Sequence, residues 1–284
     1  MCGTIIKVEK QMLIDLNKSR AIGMARRLAV VCLLVFFQLD VLAQVGEHRN
    51  DFAIGFSAGY AMSRTEFVPK VPQDMHGGPV AGVTFRYTSE KYFNSICAIV
   101  GEVNLAKTGW QERIWDRNDQ PVVNQETGLE EAYSRHLTYV QVPVFARLGW
   151  GRERNGMQFF FQIGPQMGFL VGEEADANFD IDNPNVGNRV SHVSGPNIGT
   201  AQFSNMYHMD VENKFDYGIA AGFGLEWSNR HVGHFMLEGR YYYGLGNLYG
   251  NTKRDYFARS NMTNIVVKLS YLFDLTRTKN SNIK

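Results

Sequence analysis

The chain has 284 residues with a formal net charge of +1, and 44% of the residues are hydrophobic. A mean hydropathy of −0.24 excludes a protein built of membrane-spanning helices, and the near-neutral charge gives no basic surface to attract nucleic acid. Of the three cysteines, only Cys97 lies beyond residue 43, which argues against an intrachain disulfide and against a Cys/His metal framework.

Residues 24–44 read as a secretory signal peptide, because two arginines precede an apolar run that ends in a small-residue cleavage site. The apolar run is too short to span a membrane as a helix. We therefore expect residues 1–43 to be an N-terminal extension and signal peptide, with translation beginning at Met24 and cleavage after Ala43. A long n-region upstream of Met24 is the alternative. Residues 44–284 would form the mature domain.

Eight stretches alternate apolar and polar residues one by one, which is the pattern of a strand with one apolar face. They lie at residues 51–62, 79–88, 97–106, 137–148, 157–171, 214–227, 234–245 and 263–273. The gaps between them alternate between short ones and longer ones, of which 107–136 and 172–213 are the longest. Short turns at one end and long loops at the other are typical of a transmembrane β-barrel.

The two faces of the predicted strands differ in a way that fits a narrow lumen. In 214–227 the apolar residues Phe215, Tyr217, Ile219, Ala221, Phe223, Leu225 and Trp227 share one face, and the other face carries glycine, alanine and the carboxylates of Asp216 and Glu226. In the last stretch, Ile265, Val267, Leu269, Tyr271 and Phe273 would face outward and Val266, Lys268, Ser270 and Leu272 inward. Aromatic residues near the strand ends are expected to form interfacial girdles; they are Tyr60, Tyr87, Trp110, Trp150, Trp227 and Tyr271.

The sequence thus predicts an all-β protein, an eight-stranded antiparallel up-and-down transmembrane β-barrel, as a single domain over 44–284. It would lie in the outer membrane with both termini in the periplasm, in contact with membrane lipid and lipopolysaccharide. One alternative has ten strands, with residues 189–211 forming an additional hairpin inside the membrane. The other is a soluble β-sandwich.

Charged residues recur on the lumen-facing register, where unpaired charges would be strongly unfavourable. We predict a structural ion-pair network among Arg86, Glu102, Arg147, Glu226, Glu238, Arg240 and Lys268, with Gln141 on the same face. A gate or a proton path is the functional alternative. Because eight strands enclose an interior just wide enough for side chains, a water-filled pore is disfavoured.

Catalytic and metal chemistry have weak support in the sequence. A rim site could be assembled from Ser134, His136, His208 and Asp210, but no spacing singles these residues out. His231 and His234 are expected in a short periplasmic turn with no third metal ligand. We predict no catalytic residue, no metal and no cofactor.

The acidic stretch 173–182 offers Glu173, Glu174, Asp176, Asp180 and Asp182 as calcium ligands. It lacks the regular ligand and glycine spacing of a calcium-binding loop. We therefore interpret the stretch as a solvated surface loop.

Six segments occur in an order that resembles the PorT-like outer-membrane β-barrel family of Bacteroidetes. They are GEVNLAKTGW (101–110), YVQVPVFAR (139–147), GPQMGFLVG (164–172), DYGIAAGFGLEW (216–227), LEGRYYYGLGNLY (237–249) and VVKLSYLF (266–273). The chain departs from the family pattern at Gln141, where Glu is usual, and at Asn104, where an aromatic residue is usual. The resemblance implies a barrel and a link to type IX protein secretion.

We therefore expect a non-catalytic outer-membrane protein that has a structural, assembly or secretion-associated role and acts through its long extracellular loops. Proteins of secretion or surface assembly would be its partners. The competing hypothesis is an outer-membrane enzyme with a rim active site, and a small-solute channel is the third.

Overall fold

The computed structural model describes residues 46–68, 70–114, 120–124, 127–179, 207, 209–250 and 257–279. Within these ranges the chain forms nine β-strands. They are β1 (Glu47–Val68), β2 (Gln73–Asp74), β3 (His76–Tyr92), β4 (Ser95–Arg113), β5 (Ala132–Gly151), β6 (Gly156–Ala177), β7 (Phe215–Asn229), β8 (Gly233–Gly244) and β9 (Arg259–Thr276). No helix in the described ranges is long and apolar enough to cross a membrane.

Eight of these strands close into a ring of antiparallel neighbours, β1-β3-β4-β5-β6-β7-β8-β9, with β9 pairing back onto β1. The two-residue strand β2 pairs with the upper part of β4. The predicted eight-stranded up-and-down barrel is confirmed. The ten-strand alternative is wrong, because β6 pairs with β7 without interruption from Gly156 opposite Ser228 to Phe169 opposite Phe215, which leaves no place for another hairpin in the ring.

The connections alternate as the sequence predicted. Short turns at 93–94, 152–155 and 230–232 lie at the end of the barrel where β1 begins and β9 finishes. The longer connections, β1 to β3, β4 to β5, β6 to β7 and β8 to β9, lie at the opposite end. In an outer-membrane barrel the short turns are periplasmic and the long loops are extracellular, which orients the ring.

The outer wall is apolar over the predicted segments. On β7 the aliphatic and aromatic residues from Phe215 to Trp227 are 40–62% exposed, except for the small Ala221, while Ala220 and Glu226 between them are at most 2% exposed. On β9, Leu269 is 57% exposed and Lys268 only 1%. The predicted faces of both strands are therefore confirmed. The exposed band needs lipid rather than water around it, since so large an apolar surface is unfavourable in water.

Most strands continue beyond the predicted segments toward the extracellular end. Strand β5, for example, begins at Ala132 rather than at residue 137. Ser134 and His136 face outward there and are polar because this level lies above the lipid, so the alternation of apolar and polar residues disappears although the backbone pairing continues. A pattern that detects lipid contact cannot detect these strand extensions.

Trp110 does not belong to an aromatic girdle, which corrects the sequence prediction. Even-numbered residues of β4 point into the barrel, and Trp110 is only 2% exposed. The other aromatic residues predicted for the girdles lie on the outer wall, where Trp150 and Trp227 are 38% and 40% exposed. The indole of Trp110 therefore packs in the interior of the extracellular end.

Candidate functional site

A layer of charged side chains crosses the middle of the lumen. We call it the middle layer: Glu102, Glu238, Arg240 and Lys268, each at most 4% exposed. Arg240 donates to both carboxylate oxygens of Glu102, at 2.9 and 3.0 Å, and also pairs with Glu238. The ammonium of Lys268 lies 2.5 Å from Oε1 of Glu102. Because β4 and β8 face each other across the ring, the Arg240–Glu102 pair spans the lumen.

A second layer lies nearer the periplasmic end. We call it the lower layer, and its members, whose side chains are at most 14% exposed, are Arg49, Asp51, Arg86, Arg147, Glu153, Arg154, Glu226, His234 and Asp274. Arg86 on β3 donates to Glu226 on the opposite strand β7 at 2.6 Å, and Arg147 pairs with the other oxygen of the same carboxylate. The guanidinium of Arg147 also stacks 3.8 Å from the ring centre of Phe160. Charged side chains therefore cross the lumen at a second level.

His234 is part of the lower layer and not of a periplasmic turn, which corrects the sequence prediction; His231 does lie in that turn. His234 is the second residue of β8 and is 5% exposed. Its Nδ1 lies 2.7 Å from Glu226, and its Nε2 lies 3.0 Å from both oxygens of Asp274. The even-numbered register that places Glu238 and Arg240 inside also points His234 inward, so the alternation contained the signal.

The extracellular mouth is filled by apolar and aromatic side chains. This mouth cluster includes Phe67, Trp110, Tyr133, Leu137, Tyr139, Tyr207, Val211, Leu248, Tyr249, Phe257 and Met262. Phe67 contacts Trp110 edge-on with ring centres 5.3 Å apart and packs against Phe257 at 4.4 Å. The cluster joins β1, β4, β5 and β9 to the segments before β7 and after β8. The described loop bases are thereby fixed to the barrel.

Two charged residues lie within the mouth cluster. Trp110 donates its indole N–H to Glu112 at 2.9 Å, and Arg135 donates to the hydroxyl of Tyr249 at 2.7 Å. Burial raises the pKa of Glu112 to about 7, although the Trp110 hydrogen bond and the Arg135 charge oppose the shift. Glu173 on β6 pairs with Arg135 at 3.2 Å and accepts the backbone N–H of Val211.

At the outer rim, His136 is held between two other side chains. Its Nδ1 lies 3.0 Å from Nε2 of His76, and its Nε2 lies 3.1 Å from Asp176. Burial, and then the charge of His136, lower the pKa of His76. Among the described contacts nothing links Ser134 to His136, so the structure does not assemble the predicted base and nucleophile. No group of three potential ligands fits a metal ion in the described part of the chain.

The remaining rim candidates are dispersed. Asp210 is described and exposed, whereas His208 lies outside the described residues. Strand β6 continues to Ala177, so Glu173, Glu174 and Asp176 belong to a strand and not to the predicted surface loop. Asp180 and Asp182 lie outside the described residues.

The structure places all seven residues of the predicted lumen network inside the barrel and within the two layers. Gln141 is buried on the same face, at 7% exposure. Sequence reasoning missed the other six members of the lower layer, which are Arg49, Asp51, Glu153, Arg154, His234 and Asp274. Of these, His234 and Asp274 lie on inward registers of their strands. It also missed the mouth cluster, because apolar residues on the inner face above the lipid look like loop residues when their outward neighbours are polar.

The chain is similar to one known protein family and to several solved outer-membrane structures. The family described as outer membrane protein beta-barrel domain matches residues 42–250. No curated protein matches the chain. Among solved structures, the attachment invasion locus protein Ail of Yersinia pestis is 14% identical, with 80% of this chain and 99% of that chain covered and a TM-score of 0.32. Outer membrane protein OprG from Pseudomonas aeruginosa is 10% identical, with 80% and 98% covered and a TM-score of 0.40.

Neisserial surface protein A is 8% identical, with 78% of this chain and 97% of that chain covered and a TM-score of 0.35. Similarities at these identities and TM-scores assign no activity. The family match spans most of the chain and agrees with the closed eight-stranded ring and its apolar outer band. The chain is therefore an outer-membrane protein and belongs to the outer membrane protein beta-barrel domain family.

Proposed function

We propose that this protein is a non-catalytic outer-membrane barrel that holds its extracellular segments in place for contact with partners in surface assembly or protein secretion. The PorT-like resemblance from the sequence favours secretion and a Bacteroidetes source. Lipid surrounds the outer wall, and lipopolysaccharide would contact the polar band above it, which includes Lys107 and Arg64 on β4 and β1.

The observation that carries the proposal is the filled lumen. The Arg86–Glu226 pair and the Arg240–Glu102 pair each connect opposite strands, and the mouth cluster fills the extracellular end. A solute channel would need these buried pairs to separate, and each ion left buried without its partner costs several kcal/mol. The interior therefore favours a rigid support over a passage.

The structure of the extracellular end also favours a rigid support over a passage. A strand needs about 9–11 residues to cross the membrane, whereas β6 has 22. The additional length, together with the mouth cluster, fixes segments 209–214 and 245–249 above the lipid. Long loops on a rigid base are where binding residues usually lie.

An enzyme at the rim is the competing function, and His136 is its best residue. Both of its ring nitrogens are already engaged, by His76 and Asp176. A general base needs one nitrogen directed at a nucleophile or a water. The arrangement therefore supports a structural role for His136.

The test replaces residues 180–206 with a sequence of the same composition in scrambled order, in a strain whose own copy is deleted. We expect the variant barrel to fold and reach the outer membrane, and to lose the partners that copurify with the native protein. A variant with residues 280–284 scrambled in the same way is the control and should keep them. Unchanged partners and unchanged surface proteins in the 180–206 variant would refute the proposal.

Export is a separate proposal, supported by the signal-peptide pattern of residues 24–44. We expect the mature protein, recovered from the outer-membrane fraction, to begin at Gln44, as N-terminal sequencing would show. An intact precursor in the inner membrane would contradict it.

A further inference from the structure

The short turn between β5 and β6, residues 152–155, differs from the other two short turns at the periplasmic end. The turns at 93–94 and 230–232 consist of exposed residues. In turn 152–155, by contrast, the charged side chains of Glu153 and Arg154 are only 6% and 12% exposed. Charged side chains are rarely shielded from water to this extent unless they are paired inside the protein. The turn therefore folds inward, against the open end of the barrel.

The partners of these two side chains lie on the far side of the periplasmic mouth. Glu153 accepts a hydrogen bond from Nε of Arg49 at 2.8 Å. Arg154 donates to the carboxylate of Asp51 at 3.2 Å and to the backbone carbonyl of Thr278 at 2.8 Å. Arg49 and Asp51 belong to β1, which is opposite β6 in the ring, and Thr278 follows β9. The turn thus spans the mouth and ends at the seam where the first and last strands pair.

A small polar cavity lies directly beneath the turn. Its volume is about 30 Å³, enough for about two water molecules. Four basic and four acidic side chains line it, so its charges are close to balance and it suits water better than an ion. They are Arg86, Arg147, Arg154, His234, Asp51, Glu153, Glu226 and Asp274. The turn covers this cavity from the periplasm, and the Arg86–Glu226 pair closes it toward the lumen.

Both ends of the turn are glycines in a conformation that other residues rarely adopt. Gly151 has a φ of 130° and Gly156 a φ of 125°. A Cβ atom at Gly151 would lie 2.6 Å from the carbonyl oxygen of Met157, a contact that no real side chain makes. The hydrogen bond from the backbone N–H of Arg152 to the same carbonyl closes the base of the turn at 3.0 Å. The turn can therefore move as a unit about two glycine hinges.

The contacts that hold the turn are polar, so water can replace them. When the turn swings outward, Glu153, Arg154 and Asp51 reach periplasmic water and exchange one hydrogen-bond partner for another. Arg49 is not left unpaired, because it also donates to Glu47 at 2.7 Å. Opening the mouth cluster at the other end would instead expose large apolar side chains to water. The periplasmic end is therefore the end of the lumen that can open.

We propose that residues 152–155 form a hinged lid over the periplasmic mouth, latched by Glu153 and Arg154 to the seam between β1 and β9. Release of the latch opens the cavity to the periplasm, and closure shields the Arg86–Glu226 pair from water. The lid lies at the end of the barrel opposite to the extracellular segments, so its action does not depend on their partners.

The experiment measures how fast a cysteine beneath the lid reacts with a water-soluble, positively charged methanethiosulfonate reagent. Ala98 lines the cavity and is 7% exposed, so Ala98→Cys places a thiol there, and Cys97→Ser removes the native one. The reagent is larger than the cavity, so the labelling rate of the folded barrel in detergent micelles follows the open fraction. Arg154→Gln or Asp51→Asn removes a charged hydrogen bond of the latch, and we expect labelling to become about tenfold faster.

Arg152→Gln is the matched control, because Arg152 lies in the same turn, is exposed, and makes no hydrogen bond or ion pair with β1 among the described residues. It should keep the slow rate. Gel mobility shows whether each variant is folded, and Asp51→Asn tests the same latch if Arg154→Gln fails to fold. Equal rates in the latch variants and the control would overturn the proposal. So would labelling of Ala98→Cys under the native lid as fast as that of Arg152→Cys, a comparison that needs no latch variant.

Discussion

The middle layer allows a quantitative prediction, because each of its four charged side chains has few oppositely charged partners. Glu102 is the described partner of Lys268, and it also holds Arg240. Glu102→Gln leaves the ammonium of Lys268 buried and unpaired at 1% exposure, while Arg240 keeps Glu238. Removing one partner of a buried ion pair costs about 3–5 kcal/mol, so we expect a loss of that size in the free energy of unfolding.

The second substitution should repair the first. Lys268→Met alone leaves two carboxylates facing Arg240 and should also destabilise the barrel. In the double variant Glu102→Gln/Lys268→Met, however, Arg240 and Glu238 remain as a neutral pair, and the methionine keeps much of the lysine volume. We expect the loss of stability in the double variant to be smaller than the sum of the two single losses by about 2–3 kcal/mol, which is the upper part of the range of coupling between residues in one network.

The assay is equilibrium unfolding in urea from lipid vesicles, followed by tryptophan fluorescence and by the gel mobility of the folded barrel. All four proteins of the cycle are measured at one pH and one salt concentration. Additive effects of the two substitutions would refute the reasoning, because they would mean that Glu102 and Lys268 do not depend on each other for charge compensation.

Three further changes test the wall, the mouth and the rim. Ile219→Lys on the lipid-facing side of β7 should destabilise the barrel by about 2–4 kcal/mol in urea unfolding, and a neutral result would contradict the assigned faces. Because the pKa of Glu112 is raised to about 7, its contribution is present below its ordinary pKa and is lost as pH rises through about 7. Glu112→Gln should therefore remove that decline, as unfolding midpoints between pH 5 and pH 8 would show. Burial, and then the charge of His136, lower the pKa of His76, so its neutral ring contributes stability above the ordinary pKa of histidine, and this contribution is lost in acid; His76→Gln should flatten the acid limb of the same profile.

The membrane-spanning part of the fold follows from the sequence because lipid imposes a strict rule. Each outward side chain in the band must be apolar, and the narrow lumen keeps the inward ones small or paired. The predicted segment 214–227 shows both rules, and the observed strand, Phe215–Asn229, begins one residue later and ends two residues later. Above the lipid the rule ends, and β4 continues from 106 to Arg113 without a pattern that reveals it.

The specific lumen contacts could not be read from alternation. Alternation assigns Arg86 and Glu226 to the inner face, but it does not say that they lie four strands apart around the ring and meet across it. That distance depends on ring closure and on the stagger of neighbouring strands, which no single segment encodes. The missed role of His234 has a different cause. A histidine next to a turn is usually solvated. Its strand β8, however, lies between β7 and β9, and each of these neighbours brings one carboxylate to the imidazole ring.

The two ends of the lumen differ in kind, and this difference bears on function. The lower layer is charged and lies at the periplasmic end of the barrel. The mouth cluster is apolar, and it packs Tyr207, Val211 and Leu248 against residues of the strands. If the barrel served transport, both ends would need to open, yet opening the mouth would expose Phe67 and Trp110 to water at a cost of about 1.5–3 kcal/mol for each large apolar side chain. Substitutions that abolish partner binding without unfolding the barrel should therefore map above this cluster and not within the lumen.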